Sequence, residues 1–290
     1  MAKVAIVGPG AVGCTVAAEL ARAHDILICA RTPFDRLEVE TPLGTLIETP
    51  RTVCDASLAE PVDWVLVATK AYDHVATGQW MRALAAKATR FAILQNGVEH
   101  VERFAPYVDA ACIVPIVVDC SASRLAPGRV RLRRPAALIA PKTDAGEAFV
   151  ALFEKTGIIA STSTNFTTAL FQKLCLNSVG AVPALLLQPA NIANRDAVAA
   201  LMHAIVSECI AVGRKEGAHL PDDLAQAIVL RMQATPSDAV NSLHSDRLHG
   251  RPMEIDARNG AIVRLGKRHG IATPLNQAMV ALLEAVNVRN

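Results

Sequence analysis

The first thirteen residues constrain the fold more than any other stretch. Lys3-Val-Ala-Ile-Val7 is a short apolar run that reads as a buried strand, and it ends on Gly8-Pro9-Gly10-Ala11-Val12-Gly13. Ala11 to Ala23 follows with a helical pattern, and Asp25 to Ala30 is a second apolar strand. A strand, glycine turn, helix and strand packed this closely predict a βαβ unit, whose parallel strands are covered on both faces. The glycines have the spacing G-x-G-x-x-G. The first allows the tight turn, the second lets backbone approach a pyrophosphate, and the third lets the helix pack on the strand. The helix N-terminus offers its unpaired N–H groups to the phosphates. Gly8, Pro9, Gly10, Ala11, Val12 and Gly13 are therefore candidate contacts of a dinucleotide, against the plainer alternative of a simple turn.

The end of the second strand selects between dinucleotides. An NAD site places Asp or Glu there to hold the ribose hydroxyls. Here Ile26-Leu-Ile-Cys29 runs into Ala30-Arg31-Thr32, and a guanidinium suits a 2′-phosphate, the plainer alternative being that Arg31 is just a surface arginine. NADP(H) is the expected cofactor. Ligands of such sheets lie beyond the carboxyl ends of the strands. Two further apolar strands end in polar residues, Val65-Leu-Val-Ala-Thr69-Lys70 and Ile93-Leu-Gln95-Asn96-Gly97. Lys70 adds charge for the adenosine phosphate or is an ordinary strand-end lysine. Asn96 stands at the cofactor–substrate edge or is simply half of an Asn-Gly turn.

Alternating strands and helices continue to about Ile159, with extra strands expected at Thr45–Glu48, Cys112–Val118, Val130–Leu132 and Ala137–Ile139. From Phe166 onward only helical periods occur: Thr167–Leu187, Asp196–Glu216, Asp222–Met232, Val240–Leu248, Asp256–His269 and Pro274–Val286. The expected class is α/β, an N-terminal Rossmann-like domain with a mostly parallel sheet (residues 1–163) followed by an all-α C-terminal domain (residues 164–290).

Lys plus Arg number 29 and Asp plus Glu 27, and 4% of residues are aromatic. That balance offers no electrostatic case for nucleic acid or an anionic membrane, and few rings on which bases could stack. The basic run Arg124, Arg129, Arg131, Arg133 and Arg134 alternates with Val130 and Leu132, as on one solvated strand face. Leu174 to Asn194 carries no charge, but Asn177, Pro183, Gln188, Pro189 and Asn191 make a spanning helix a poor reading and a buried helix the better one. Seven cysteines without a C-x-x-C pair read as buried thiols of a reducing compartment, and the eight histidines show no metal-binding spacing. No metal and a cytoplasmic location are expected.

In the helical half, Lys173 and Asn177 are four residues apart on an otherwise apolar helix, and so share a face. They need partners or a cleft, unless Lys173 snorkels to water. Glu254 lies in Arg251-Pro-Met-Glu254-Ile-Asp256-Ala-Arg-Asn259-Gly260, where helix capping is the plainer role.

Five ordered segments together resemble the ketopantoate reductase (2-dehydropantoate 2-reductase) family over essentially the whole chain: V-A-I-V-G-P-G-A-V-G at the start, A-T-K-A-Y-D around Lys70, L-Q-N-G-V-E around Asn96, K-L-C-L-N around Lys173, and G-R-P-M-E-I-D-A-R-N-G around Glu254. The resemblance implies a Rossmann domain followed by a helical domain, reducing a 2-oxo acid with NADPH. It implies Lys173 as catalytic proton donor, with Glu254 near substrate and lysine. It implies Asn96, Asn177, Asn191 and Ser242 as substrate contacts, and Arg31 and Lys70 as holders of the 2′-phosphate.

Two positions depart from the family pattern: Ala181 stands where the family repeats an asparagine, and its S-M-L-Q-D reads Ser242-Leu-His244-Ser245-Asp246 here. Ketopantoate is the expected substrate. Another 2-oxo acid or carbonyl, a β-hydroxyacid dehydrogenase activity and a non-catalytic NADP(H) sensor are the alternatives. The helical half has apolar surface enough for a homodimer.

Overall fold

The computed structural model describes residues 1–288. Contacts divide the chain into two compact units, Met1–Gln95 with Glu99–Phe166, and Asn96–Val98 with the chain from Thr167 onward.

The first unit runs β1 (Lys3–Val7), α1 (Ala11–Leu20), β2 (Asp25–Cys29), β3 (Leu37–Thr41), β4 (Gly44–Glu48), β5 (Arg51–Val53), β6 (Trp64–Val67), α2 (His74–Ala83), β7 (Arg90–Ile93), α3 (His100–Phe104), β8 (Ile113–Pro115), β9 (Val117–Asp119), β10 (Ala122–Ala126), β11 (Arg129–Leu132), β12 (Ala137–Pro141), α4 (Asp144–Ala151) and β13 (Ile159–Ser163). Six strands form a wholly parallel sheet in the order β5-β2-β1-β6-β7-β8. Strand side chains alternate between faces, and both faces are buried. Val4, Ile6, Ile28 and Leu66 join α1, Phe149 of α4 and Phe153 in one core, while Ala5, Val7, Val65, Val67 and Ile93 meet α2 and α3 in another. That is why these strands are continuously apolar in sequence.

The segment expected as one strand over Cys112–Val118 is two. β8 extends the parallel sheet, and β9 pairs antiparallel with β12 in a three-stranded sheet. Pro115 lacks the N–H needed to carry the ladder on. The basic run lies in and around β10 and β11, in a four-stranded sheet β10-β11-β3-β4. Val130 and Leu132 are buried, whereas Arg131 and Arg129 reach Glu40 and Glu38 on the neighbouring strand at 2.6 and 3.7 Å. The arginines balance acids within the fold.

The second unit is helical: α5 (Phe166–Val179), α6 (Ala181–Leu186), α7 (Asp196–Lys215), α8 (Leu224–Gln233), α9 (Ser242–Leu248), α10 (Ala261–His269) and α11 (Pro274–Ala285). Its core joins Phe171, Leu174, Val179, Met202, Ile205, Val212, Leu243, Ile262 and Leu283, among others. The helix expected over Thr167–Leu187 is broken at Gly180, because Pro183 has no N–H for the Val179 carbonyl. Residues 166–186 have the length and apolarity of a membrane span, yet about half of that stretch is buried inside the protein, at Phe171, Leu174, Cys175 and 178–184.

The helix expected over Asp256–His269 also starts differently. Asp256–Gly260 is one π-helical turn, closed by Gly260 N–H donating to the Ile255 carbonyl at 3.1 Å, and α10 follows it. Wide turns of this kind concentrate at functional sites. A buried amide network holds the turn. Asn259 Nδ2 donates to the Ser178 carbonyl at 3.1 Å and to Asn276 Oδ1 at 2.9 Å. Asn276 Nδ2 in turn donates to Glu208 Oε2 at 2.7 Å. Four elements are thereby tied together around one buried polar cluster.

All seven cysteines are free thiols. Cys14, Cys29, Cys175 and Cys209 are buried as their apolar neighbourhoods imply, but Cys54 is exposed and Cys112 and Cys120 are half-buried.

Candidate functional site

In the first unit the glycine turn leaves β1 between two strand ends. β1 is flanked by β2, which leads to Arg31, and by β6, which leads to Lys70. Gly8 has φ +92°, and a Cβ there would lie 2.6 Å from the Thr69 backbone nitrogen, so only glycine fits. A Cβ on Gly13 would meet the Gly8 carbonyl oxygen at 2.3 Å, which measures how closely α1 packs on the turn. At Gly10 a Cβ would find no protein atom within 4 Å. The backbone there faces open space, and α1 starts without a side-chain cap. The Cys14 thiol donates to the Pro9 carbonyl at 3.2 Å and braces the turn, and burial pushes that thiol up to about 12.

Arg31 is exposed and reaches Asp73 at only 3.8 Å, a pairing worth little in water. Lys70 is half-buried and precedes a short turn over Ala71–Asp73. This cradle can take a pyrophosphate against Gly10, Ala11 and Val12. The exposed Arg31 guanidinium can meet a phosphate. No acid stands at the end of β2 to hold a ribose diol. The donor set fits NADP(H).

In the second unit three of the candidate residues form a hydrogen-bonded chain. Asn177 Nδ2 donates to Asn96 Oδ1 at 3.2 Å, and Asn96 Nδ2 donates to Glu254 Oε2 at 3.1 Å. Asn177 comes from α5, Asn96 from the loop after β7, and Glu254 from the segment leading into the π turn. Glu254 is 4% exposed, so it is no surface cap. The Asn96-Gly97 turn belongs here for a steric reason. Gly97 has φ +110°, and a Cβ on it would come within 2.9 Å of the Ala257 carbonyl in the π turn. Lys173 is half-buried one helical turn before Asn177, on the same face of α5.

Ser242 opens α9 and is exposed, but it does not cap the helix. Asn241 does, accepting from His244 N–H at 3.0 Å, and Asn241 Nδ2 also donates to the Gly180 carbonyl at 3.3 Å. Ser242 Oγ accepts from Arg258 Nη2 at 2.7 Å. Asn191 lies half-buried in a 3-10 turn over Ala190–Asn194, which packs chiefly on α7 and α8. Ala181 is fully buried, so this chain presents no amide at that place. Sequence reasoning passed over Arg258, which is 2% exposed beside Glu254. Its signal was its place four residues after that acid, on one side of a helical turn.

Comparison with known proteins adds the following. A family model described as ketopantoate reductase PanE/ApbA matches residues 4–144, and its C-terminal counterpart matches residues 165–287. The chain is 51% identical to a 2-dehydropantoate 2-reductase of Caulobacter vibrioides, over 98% of this chain and 99% of the relative. It is 40% identical to a 2-dehydropantoate 2-reductase of Mycobacterium tuberculosis, over 98% and 97%. A solved ketopantoate reductase structure from Ralstonia eutropha superposes with a TM-score of 0.89 at 33% identity, covering 98% of each chain. A D-mandelate dehydrogenase solved with NADH has a TM-score of 0.86 at 22% identity, covering 98% of this chain and 97% of its own, and so shares the fold. The glycine cradle, the Asn177–Asn96–Glu254 chain beside Lys173, and two family models that together span nearly the whole sequence agree, and the chain belongs to the ketopantoate reductase family.

Proposed function

We propose that this chain is a cytoplasmic NADPH-dependent reductase that converts 2-dehydropantoate (ketopantoate) to pantoate. Residues 1–163 hold the cofactor and residues 164–290 carry the chemistry. The observation that carries the reading is the chain of hydrogen bonds from Asn177 through Asn96 to the buried Glu254, with Lys173 one turn away on α5. Two amides and a carboxylate linked in series inside a folded unit are held in one geometry, which is what orienting a small polar substrate requires. In a reading confined to packing, apolar side chains would serve these positions at lower desolvation cost.

NADPH, when bound, supplies the hydride to C2 of the 2-oxo acid. Gly8 through Gly13 would hold its pyrophosphate, and Arg31 and Lys70 its 2′-phosphate. Lys173 Nζ gives a proton to the carbonyl oxygen as the alcohol forms. Such general acids contribute about 10²–10⁴-fold in rate. Asn96, Asn177, Asn191 and Ser242 hold the substrate by hydrogen bonds. Glu254 takes a hydrogen bond from Asn96 and places negative charge near the protonated lysine.

The deciding experiment is a panel of 2-oxo acids, ketopantoate included, followed by loss of NADPH absorbance. The reading stands if kcat/KM is highest with ketopantoate. A higher value for another 2-oxo acid reassigns the substrate. No turnover of any member rejects the reductase.

Cofactor choice gives a separate prediction. Arg31→Ala raises KM for NADPH about 10–100-fold, the worth of a hydrogen bond to a charged group. KM for NADH moves less than twofold, and stability is unaffected because Arg31 has only a long, exposed ion pair to lose. Parallel titrations with both nucleotides check this, and equal losses for both would move the phosphate site elsewhere. A homodimer is part of the same proposal, since Leu186, Leu187, Leu230 and Leu248 are exposed on the helical unit. Sedimentation at micromolar concentration should show twice the chain mass.

A further inference from the structure

Arg258 is among the largest fully buried side chains, 2% exposed at the π turn. An arginine is not placed there cheaply. Burial pushes its guanidinium down, and the carboxylates of Glu254 and Asp246 push it back up. Asp246 is also paired to Arg251, at 3.2 Å. Arg258 Nη2 donates to Ser242 Oγ at 2.7 Å, while its Nε has no hydrogen-bond partner. Ser242 does not need its hydroxyl for its own helix, because Asn241 is the cap. A hydroxyl has one proton and two acceptor positions. Once Nη2–H occupies an acceptor position, the Ser242 proton cannot point back at the guanidinium. It is left to be donated on the exposed side of the residue.

We propose that Arg258 is a positioning residue for the substrate: it fixes the Ser242 hydroxyl as a hydrogen-bond donor toward the carboxylate of a 2-oxo acid. The inference deepens the reductase reading above and rests on it. It assigns the anion-facing polarity of the site to a residue that the substrate does not touch. The planar fork of arginine matters, because it reaches Ser242 from inside the turn while the charges of Glu254 and Asp246 offset its own. The competing role is purely structural, a strut between the π turn and α9.

The test uses the full chain and steady-state kinetics for wild type, Arg258→Met, Arg258→Lys, Ser242→Ala and the double variant Ser242→Ala/Arg258→Met, each with its thermal midpoint. Methionine fills the volume without charge, an exchange that buried ionic groups often tolerate. The expected result is a rise of about tenfold in KM for the 2-oxo acid in Arg258→Met and in Ser242→Ala. KM for NADPH should stay within about twofold in both. The double variant should be no worse than Ser242→Ala alone, since both changes remove one device. Arg258→Lys should recover part of the affinity. If Arg258→Met does not fold, Arg258→Lys alone and combined with Ser242→Ala decides by the same comparison.

An unchanged KM in the Arg258 variants overturns the proposal. So does a lowered melting point with normal substrate affinity, or losses that multiply in the double variant. A wild-type protein that reduces no 2-oxo acid overturns the reductase reading itself and the proposal with it. Normal wild-type turnover with indifferent Arg258 variants sinks the proposal alone.

Discussion

Lys173→Ala should abolish most turnover, lowering kcat by about 10²–10⁴-fold while leaving the affinity for NADPH within a factor of two. The developing alkoxide at C2 needs a proton as the hydride arrives, and an alanine methyl has none to give. Water must then take the role without the positioning that α5 provides. Lys173 is half-buried rather than part of the core, so the truncation should cost about 1 kcal/mol of stability or less. The result can therefore be read as chemistry. NADPH absorbance gives kcat and fluorescence titration gives cofactor affinity. Turnover within threefold of wild type would remove Lys173 from the mechanism, and a matching collapse of NADPH affinity would assign it to binding.

The second large effect separates two glycines of one turn. Gly13→Ala should destabilise the protein by about 1–3 kcal/mol, because the new methyl lands 2.3 Å from the Gly8 carbonyl oxygen. Backbone on that side cannot give way without lifting α1 from β1. Gly10→Ala has open space around its methyl, so its cost should stay under about 1 kcal/mol. That methyl instead occupies the volume a pyrophosphate needs, and NADPH affinity should fall at least tenfold. Thermal unfolding without nucleotide and nucleotide titration measure the two quantities. Gly10→Ala with normal affinity would move the pyrophosphate away from this turn, and Gly13→Ala with normal stability would show that α1 moves more freely than its packing implies.

The parallel sheet was legible because its cause is local. A strand buried on both faces must be apolar at every position, as Lys3–Val7 and Trp64–Val67 nearly are, and a crossover helix must follow it. The helix ends near Gly217 and Gly270 were readable for the same reason, both glycines having positive φ. The short strands β3, β5, β10 and β13 were not picked out. Their residues are mixed in polarity and, apart from Leu37, Val39 and Val53, none is buried, so only pairing with a neighbour makes them strands. The split of the Thr167–Leu187 helix was written in Pro183 but needed the Val179 carbonyl to be recognised as its missing partner.

Among the candidate site residues, Lys173 and Asn177 were visible as a pair because a helix makes positions four apart into neighbours. Asn96 alone read equally well as a turn. Its position depends on Glu254, 158 residues away, and on a steric fit between Gly97 and the π turn. The depth of Arg258 was not readable at all, since an arginine four residues from an acid is most often a solvated pair.

What the sequence determined by itself was whatever depends on near neighbours along the chain: the strand–turn–helix that suits a dinucleotide, the order of the elements, and the polar positions on α5. Tertiary structure decided which polar groups meet. Hydrogen bonds between residues 81 and 158 apart form only after hydrophobic burial has brought their elements together, and burial also converts an ordinary Glu and Arg into groups that must find partners.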